Sequence, residues 1–203
     1  MATFAESAAD VLADPAKERL GTSANGVTLL RTVGAIVLAG LAAEQGSIDL
    51  LVASLVVYWV GDILDGVVAR LRGCETRTGA TLDILSDRLC AVAFYLGLAW
   101  LTPALVWPVL VYLTQFVVVD GFLSLAFLAW PIRSPNYFYV VDRTLWLWNW
   151  SKPGKAVNSA IFAVVLLLTE SAAIGLVVAG ALLVLKSASL VRLLRLGLPV
   201  PPR

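Results

Sequence analysis

Six apolar runs, separated by polar breaks, most constrain what this chain can fold into; they lie at 26–43, 50–70, 79–101, 105–131, 156–169 and 172–195. A helix needs about 20 apolar residues to cross the roughly 30 Å hydrocarbon core of a bilayer. The fifth run is short, so we expect its helix to begin before Lys155. Mean hydropathy is +0.87 and 14% of the residues are charged, against about a quarter in soluble domains. The sequence predicts an all-α integral membrane protein with six transmembrane helices.

The basic residues predict the orientation of these helices. If the N-terminus is cytoplasmic, the outer connections fall at 44–49, 101–104 and 169–171, and none contains Lys or Arg. Nearly all Lys and Arg then lie in inner segments or at inner helix ends, as the positive-inside rule requires. Lys186 lies deeper, where it would snorkel to the interface or pair with an acid. We expect a multi-pass protein of the cell membrane with both termini on the cytoplasmic side.

The ends of the chain are more polar than its middle. We predict a cytoplasmic amphipathic segment at 1–24, a six-helix transmembrane domain at 25–197 and a cytoplasmic tail at 198–203. Phe4, Ala8, Val11 and Leu12 have the spacing of one helix face, which predicts a juxtamembrane helix on the membrane surface. A frayed tail is the alternative. The acidic residues in this segment disfavour a cleaved signal peptide.

Acidic residues interrupt the apolar pattern at 61–87. Asp62 and Asp65 lie near the inner end of the second predicted helix, and Asp83 and Asp87 lie in the first turns of the third. Spacings of three and four residues put each pair on one helix face. The connection between the helices is short, so the two acidic faces can point at each other. Each carboxylate at bilayer depth costs about 2.5–3.5 kcal/mol, so cations must offset the charge.

The residue types available favour a hard divalent cation. Arg70 can supply one positive charge, but four carboxylates need more. The chain has no histidine, and Cys74 and Cys90 lack metal-type spacing and are expected to be reduced thiols. Ligands that are oxygen only favour Mg²⁺, Mn²⁺ or Ca²⁺, and two such ions suit in-line displacement at phosphorus. Gly66 and Gly79 leave room for a ligand, although small residues also serve helix packing.

This stretch resembles the signature of the CDP-alcohol phosphotransferase family, D-x2-D-G-x2-A-R-x8-G-x3-D-x3-D. Every fixed position matches with the required gap, at Asp62, Asp65, Gly66, Ala69, Arg70, Gly79, Asp83 and Asp87. A chance match at a given position is rarer than roughly one in a hundred million. The six-run layout extends the resemblance over most of the chain. The resemblance implies a transferase of phospholipid biosynthesis, in which the hydroxyl of a second alcohol displaces CMP from CDP-diacylglycerol.

The resemblance also implies roles for the motif residues. Asp62, Asp65 and Asp83 correspond to metal ligands, for two Mg²⁺ or Mn²⁺ ions. Asp87 corresponds to the base that takes the proton from the attacking hydroxyl, and it can also bind the second metal; a metal ligand only is the alternative. The residues implied to bind the nucleotide or the CDP-lipid are Asn25, Thr28, Gly66, Arg70 and Thr76. Arg31 completes the short N-x-x-T-x-x-R pattern at the inner end of the first helix.

The sequence defines the acceptor alcohol less well. A phosphorylated alcohol needs a second basic pocket, for which the candidates are Arg133, Arg143, Lys152 and Lys155. The segment SKPGKAVNS loosely resembles the start of the fifth helix in phosphatidylglycerophosphate synthases, which favours glycerol 3-phosphate; inositol phosphate or another alcohol is the alternative. These basic residues can also be only a positive-inside signal. Asp120, inside the fourth run, would bind acceptor hydroxyls or pair with a basic residue.

Two other functional classes compete with this interpretation. A divalent-cation transporter predicts acids distributed across the bilayer, but 50–60 and 90–101 contain no charge. A non-catalytic membrane partner would have lost at least one motif aspartate, and all are present. The expected partners are CDP-diacylglycerol, a small alcohol with or without a phosphate, and the lipid bilayer, with no nucleic acid. The resemblance also suggests a homodimer.

Overall fold

The structure, a computed structural model, describes residues 11–199. Its main helices are, in chain order, α1 (Ser23–Gln45), α2 (Ile48–Leu71), α3 (Arg77–Leu101), α4 (Pro103–Ala129), α5 (Arg143–Asn149), α6 (Lys152–Thr169) and α7 (Ala172–Leu196). All except the short α5 are long and apolar enough to cross a membrane. Within 11–199 there is no strand beyond an isolated bridge. The predicted all-α membrane protein with six transmembrane helices is therefore confirmed.

The helix ends follow from capping residues in the short connections. Thr22, Ser47, Thr76 and Ser171 each accept a hydrogen bond from the backbone N–H three residues ahead, at the starts of α1, α2, α3 and α7. Gly46 ends α1 with a φ of +66°, a left-handed conformation that costs glycine little. Only residues 46–47 separate α1 from α2, so the two helices are antiparallel neighbours.

Two apolar clusters hold the helices together. The first lies between the long helices, where the rings of Tyr112 and Phe162 stack with centroids 4.2 Å apart. The second packs the connector between α4 and α5 against the bundle. Trp150 belongs to this second cluster and lies 4.8 Å from the Phe138 ring. Many apolar side chains on the outer helix faces, such as Leu30 at 75% exposure, have no protein cover, as expected of surfaces that contact lipid.

Backbone hydrogen bonds join the segment before α1 to the connector between α4 and α5. Leu12 pairs with Ile132 in an antiparallel bridge, and buried Val11 accepts a hydrogen bond from the N–H of Arg133. A short 3₁₀ turn follows at Pro15–Lys17. The predicted juxtamembrane helix falls mainly on residues outside the described range, including Phe4 and Ala8. The division of the chain at residues 24 and 197 stays a prediction.

Helix α4 changes its winding midway. An α-helical part, Val106–Leu113, is followed by a π-helical segment, Thr114–Val119, and then by α-helix again at Asp120–Leu125. π-Helical segments are rare and often lie at functional sites. Gln115, in this segment, is fully buried, and its amide atoms have no hydrogen-bond partner among the described residues. The π-helical segment ends at Val119, and Asp120 is the first residue of the α-helix that follows.

Candidate active site

The motif aspartates meet at the inner ends of α2 and α3. All four line one cavity of about 220 Å³. One carboxylate oxygen from each of Asp62, Asp83 and Asp87 lies within 4.8 Å of the other two. Asp65 is buried beside them and accepts a hydrogen bond of 2.8 Å from the Thr28 hydroxyl. The predicted approach of the two acidic helix faces is thus present in the structure.

Arg31 of α1 lies among these carboxylates. Its Nη2 is 3.6 Å from Asp62 Oδ1, 2.5 Å from Asp83 Oδ1 and 2.9 Å from Asp87 Oδ1. Its Nε is 2.8 Å from Asp65 Oδ2. The sequence predicts that Arg70 supplies part of the positive charge that offsets the acids. In the structure, Arg31 supplies this charge. Arg70 is exposed and forms no ion pair with any described residue.

A glycine on α2 makes room for the Arg31 side chain. A Cβ atom added to Gly61 would lie 2.4 Å from Arg31 Cβ and 2.6 Å from its Cδ. The Arg31 guanidinium lies 5.6 Å from the centre of the Tyr58 ring, within cation–π range. The arginine is thus enclosed by α2, and its side chain is only 2% exposed.

The donor set at these acids fits a hard divalent cation. Carboxylate oxygens are the ligands that Mg²⁺, Mn²⁺ and Ca²⁺ prefer, and three of them converge here without histidine or thiolate. The Nη1 atom of Arg31 is buried and has no hydrogen-bond partner among the described residues. A buried donor of this kind calls for an acceptor, such as a ligand oxygen or water.

The residues expected to bind the nucleotide surround the same cavity. Asn25, Thr28, Gly66, Arg70 and Thr76 all line it. Thr76 caps α3, and a Cβ at Gly79 would lie 2.9 Å from both the Thr76 hydroxyl and Asn25 Oδ1. The Arg70 guanidinium lies over Gly66, 3.3 Å from the position of an added Cβ. The absence of a side chain at these two glycines keeps polar groups of α1 and α2 close to the helix backbone.

A second polar group lies on the other side of the cavity. Lys186 Nζ is 2.5 Å from Asp120 Oδ1 and 2.9 Å from Asn149 Oδ1. Arg88, the residue after Asp87, also pairs with Asp120 and lies 2.9 Å from the Ser124 hydroxyl. Of the two roles considered for Asp120, pairing with a basic residue is therefore present. Lys186 is 1% exposed, so it pairs with an acid and does not snorkel.

The acceptor candidates divide into two groups. Lys155, Arg133 and Asp120 line the cavity, whereas Arg143 and Lys152 are exposed and do not line it. The structure therefore does not bring Arg143 and Lys152 to the carboxylates. Arg143 is the first residue of α5 and Lys152 the first residue of α6, and both are exposed outside the cavity lining.

Glu18 joins the N-terminal segment to the start of α3. Its carboxylate accepts hydrogen bonds from the N–H of Arg77 and from the N–H and hydroxyl of Thr78, at 2.6–3.0 Å. Burial by itself raises the pKa of Glu18, but the hydrogen bonds from Thr78 and Arg77 outweigh it, so the net pKa lies below its ordinary value. Negative charge at a helix N-terminus is also favourable. This contact holds the segment before α1 over the cavity side of α3.

Arg88 and Glu18 have no specific role in the sequence prediction, and Arg31 is predicted only as part of the N-x-x-T-x-x-R pattern on the nucleotide side, not as a partner of the acids. Arg31 stands three residues after Thr28, which itself follows Asn25 by three, so its helical spacing is a usable signal. Arg88 is adjacent to a motif aspartate and was assigned only to the positive-inside bias. Glu18 carries no recognisable signal, because its partners are 59 and 60 residues away.

Comparisons with known proteins agree with this geometry. The family model for CDP-alcohol phosphatidyltransferase matches residues 21–191. The chain is 38% identical over 85 residues to the phosphatidylinositol phosphate synthase of Mycobacterium tuberculosis (strain ATCC 25618 / H37Rv). The matched region covers 40% of this chain and 38% of that protein. The chain is 34% identical over 82 residues to the protein of the same name from Mycobacteroides abscessus, over 40% of this chain and 37% of that protein.

These matches span well under half of the relatives' length, and no solved structure matches the chain. The family model, in contrast, covers most of the sequence, from the cap of α1 into α7. Together with the complete aspartate motif, this coverage shows that the chain belongs to the CDP-alcohol phosphatidyltransferase family.

Proposed function

We propose that the protein transfers a phosphatidyl group from CDP-diacylglycerol to a phosphorylated alcohol and releases CMP. The observation that carries the proposal is the convergence of all four motif aspartates on one cavity, which the predicted nucleotide-binding residues also line. The cavity lies at the ends of transmembrane helices, where a lipid with a polar pyrophosphate head can reach it. The relatives' names support the same chemistry over the matched part of the chain.

Asp62, Asp83 and Asp87 would hold the divalent cation, with Asp65 beside them; we propose two ions, Mg²⁺ or Mn²⁺. Bound divalent cations would offset the charge of the pyrophosphate and the charge that develops on CMP. Arg70, whose guanidinium lies over Gly66, binds phosphate oxygens together with the backbone at Gly66. Asn25, Thr28 and Thr76 lie on the α1 side of the cavity and contact the nucleotide.

Asp87 acts as the general base. It accepts the proton of the acceptor hydroxyl as the oxygen forms a bond to the lipid-linked phosphorus and the bond from that phosphorus to CMP breaks. A carboxylate is a weak base, but close positioning supplies much of the rate. Asp87 pairs with Arg31 on the side of the motif acids. The next residue, Arg88, pairs with Asp120.

The acceptor enters from the side of Lys155, Arg133 and Asp120. The helix start at α6 favours glycerol 3-phosphate, and the relatives named phosphatidylinositol phosphate synthase favour inositol phosphate. Both acceptors carry a phosphate for the basic residues and hydroxyls for Asn158 and Ser159, which also line the cavity.

The test uses the purified full chain with CDP-diacylglycerol, Mg²⁺ and a panel of alcohols that includes both phosphorylated acceptors. We expect CMP release with one phosphorylated acceptor and none with its unphosphorylated form. Asp83→Asn should abolish release, while Asp49→Asn, an exposed acid at the opposite end of α2, should leave it unchanged. If no alcohol in the panel releases CMP, the transferase proposal is wrong.

We also propose that the cavity faces the cytoplasm, because the outer connections lack Lys and Arg. Cys74 lies in the α2–α3 connection and is partly exposed, whereas Cys90 is buried. A membrane-impermeant maleimide should therefore label Cys74 only after cells are permeabilised. Ser47→Cys, in the connection at the other end of α2, should be labelled in intact cells, and the reverse pattern would contradict this orientation.

A further inference from the structure

Arg31 contacts the same three carboxylates that a divalent cation would use. The Oδ1 atoms of Asp62, Asp83 and Asp87 lie 2.5–3.6 Å from its Nη2. These three residues are also the group whose carboxylate oxygens lie close enough together to hold an ion. A bound ion and the Nη2 atom therefore act on one set of carboxylates.

The Arg31 side chain has little freedom to leave this position. Its stem is enclosed at Gly61, where an added Cβ would come within 3.0 Å of Arg31 Cβ, Cγ and Cδ. Its Nε is fixed by Asp65, which the Thr28 hydroxyl also holds. The positive charge is thus a permanent part of the acid cluster.

Among the described residues, no other cation forms an ion pair with these four acids. Arg88 and Lys186 are both paired with Asp120 on the other side of the cavity. Arg70 forms no ion pair within residues 11–199. When all are ionised, four carboxylates and one guanidinium leave a net charge of −3, and without the guanidinium the charge is −4.

We propose that Arg31 is a built-in counter-ion that keeps the cation-free site folded and, by competing for the same carboxylates, lowers its affinity for the divalent cation. The inference rests on the proposed metal site. Like charges held at these distances repel, most strongly at Asp65 and Asp87, whose side chains are only 6% and 20% exposed, so the cation-free cluster needs a fixed positive charge. The same charge opposes the approach of a second cation. A weaker metal site is one from which the ion can exchange.

The experiment compares wild type, Arg31→Gln and Arg31→Lys as purified full chains. Thermal unfolding is measured in EDTA and in Mn²⁺, and Mn²⁺ affinity is measured by isothermal titration calorimetry. Arg192→Gln is the matched control, because Arg192 is half-exposed and pairs with Asp142 outside the cavity. We expect Arg31→Gln to have a lower Tm in EDTA, a Tm close to wild type in Mn²⁺, and about tenfold or more tighter Mn²⁺ binding.

Arg31→Lys keeps a charge but loses the Nε bond to Asp65, so its Mn²⁺ affinity should lie between those of wild type and Arg31→Gln. If Arg31→Gln yields no folded protein, the Mn²⁺ affinity of Arg31→Lys tests the inference instead. Mn²⁺ binding by Arg31→Lys that is no tighter than that of wild type then overturns the inference. An Arg31→Gln variant with unchanged or weaker Mn²⁺ binding, or with an unchanged Tm in EDTA, also overturns it. If the wild type binds no Mn²⁺, the proposed metal site fails instead.

Discussion

The Lys186 ammonium lies 2.5 Å from Oδ1 of Asp120, and both side chains are buried between α4 and α7. Arg88 of α3 reaches the same carboxylate. Asn149 of α5 accepts from Lys186 and donates to Ser189. This network joins four helices beside the cavity, so it should fix the distance between the carboxylate motif on α3 and the polar residues of α4 and α7.

Lys186→Met should strongly destabilise the protein. Removing one partner of a buried pair leaves an uncompensated charge, which typically costs about 3–5 kcal/mol. Arg88 still contacts Asp120 and should keep the loss toward the lower end of that range. Thermal unfolding in detergent measures the effect, with Lys155→Met as the control because Lys155 is exposed. A loss in Lys186→Met no larger than in the control would show that the pair contributes nothing.

Asp87→Asn should reduce CMP release by about a hundredfold or more, the range for removal of a general base. Binding of CDP-diacylglycerol should largely persist, because Asn25, Thr76 and Arg70 are unchanged. Binding and turnover are measured on the same preparation in saturating Mg²⁺. Turnover that survives the substitution would mean that Asp87 is not the base, and equal loss of binding and turnover would favour a metal ligand only.

Gly61→Ala should disturb the site through Arg31. The added methyl group would overlap the stem of Arg31, and overpacking of this kind typically costs about 1–3 kcal/mol. The guanidinium must shift, so CMP release should fall as well. Gly40→Ala is the matched control, because a Cβ there meets nothing within 4 Å. The expected order of Tm is Gly40→Ala at or above wild type and Gly61→Ala below it.

Glu18 should make stability depend on pH in the acid range. The hydrogen bonds from Thr78 and Arg77 lower its pKa below the ordinary 4.5, so its contribution is fully present above that pH. The contribution is lost as the pH falls through the lowered folded pKa. Glu18→Gln should reduce stability at pH 7 by about 0.5–2 kcal/mol, the size of a capping contact.

The check is the Tm of wild type and Glu18→Gln between pH 7 and pH 3. We expect the difference between them to shrink as the pH falls below 4.5. Glu44→Gln, at the exposed end of α1, is the control and should follow wild type throughout. A difference that stays constant over this range would mean that the Glu18 charge is not involved.

The features that follow from regular spacing along the sequence were predictable. Helical periodicity puts Asp62 and Asp65 on one face of α2 and Asp83 and Asp87 on one face of α3. Because only five residues connect the two helices, they are antiparallel neighbours and these faces can contact each other. Run lengths likewise give the six transmembrane helices. These features depend on local geometry, which the order of residues determines.

The contacts that cross the bundle were not predictable. Arg31 reaches the acids because Gly61 lets α1 approach α2, and no pattern along either helix specifies that crossing. The pairing of Asp120 with Lys186 joins residues 66 positions apart. Arg143 and Lys152 have the charge that an acceptor phosphate needs, but both are exposed outside the cavity lining, which their position in the sequence does not reveal.

The π-helical segment of α4 gives Asp120 its direction. An extra residue in one helical turn rotates everything beyond it by about 100° relative to an unbroken α-helix. Without that residue, the carboxylate would point away from α3 and α7, and the charges of Arg88 and Lys186 would be left without it. The side of the cavity that contains Asp120 therefore depends on the winding of α4 as well as on residue type. Under the proposal that this side binds the acceptor, two family members with the same residues but different windings here need not accept the same alcohol.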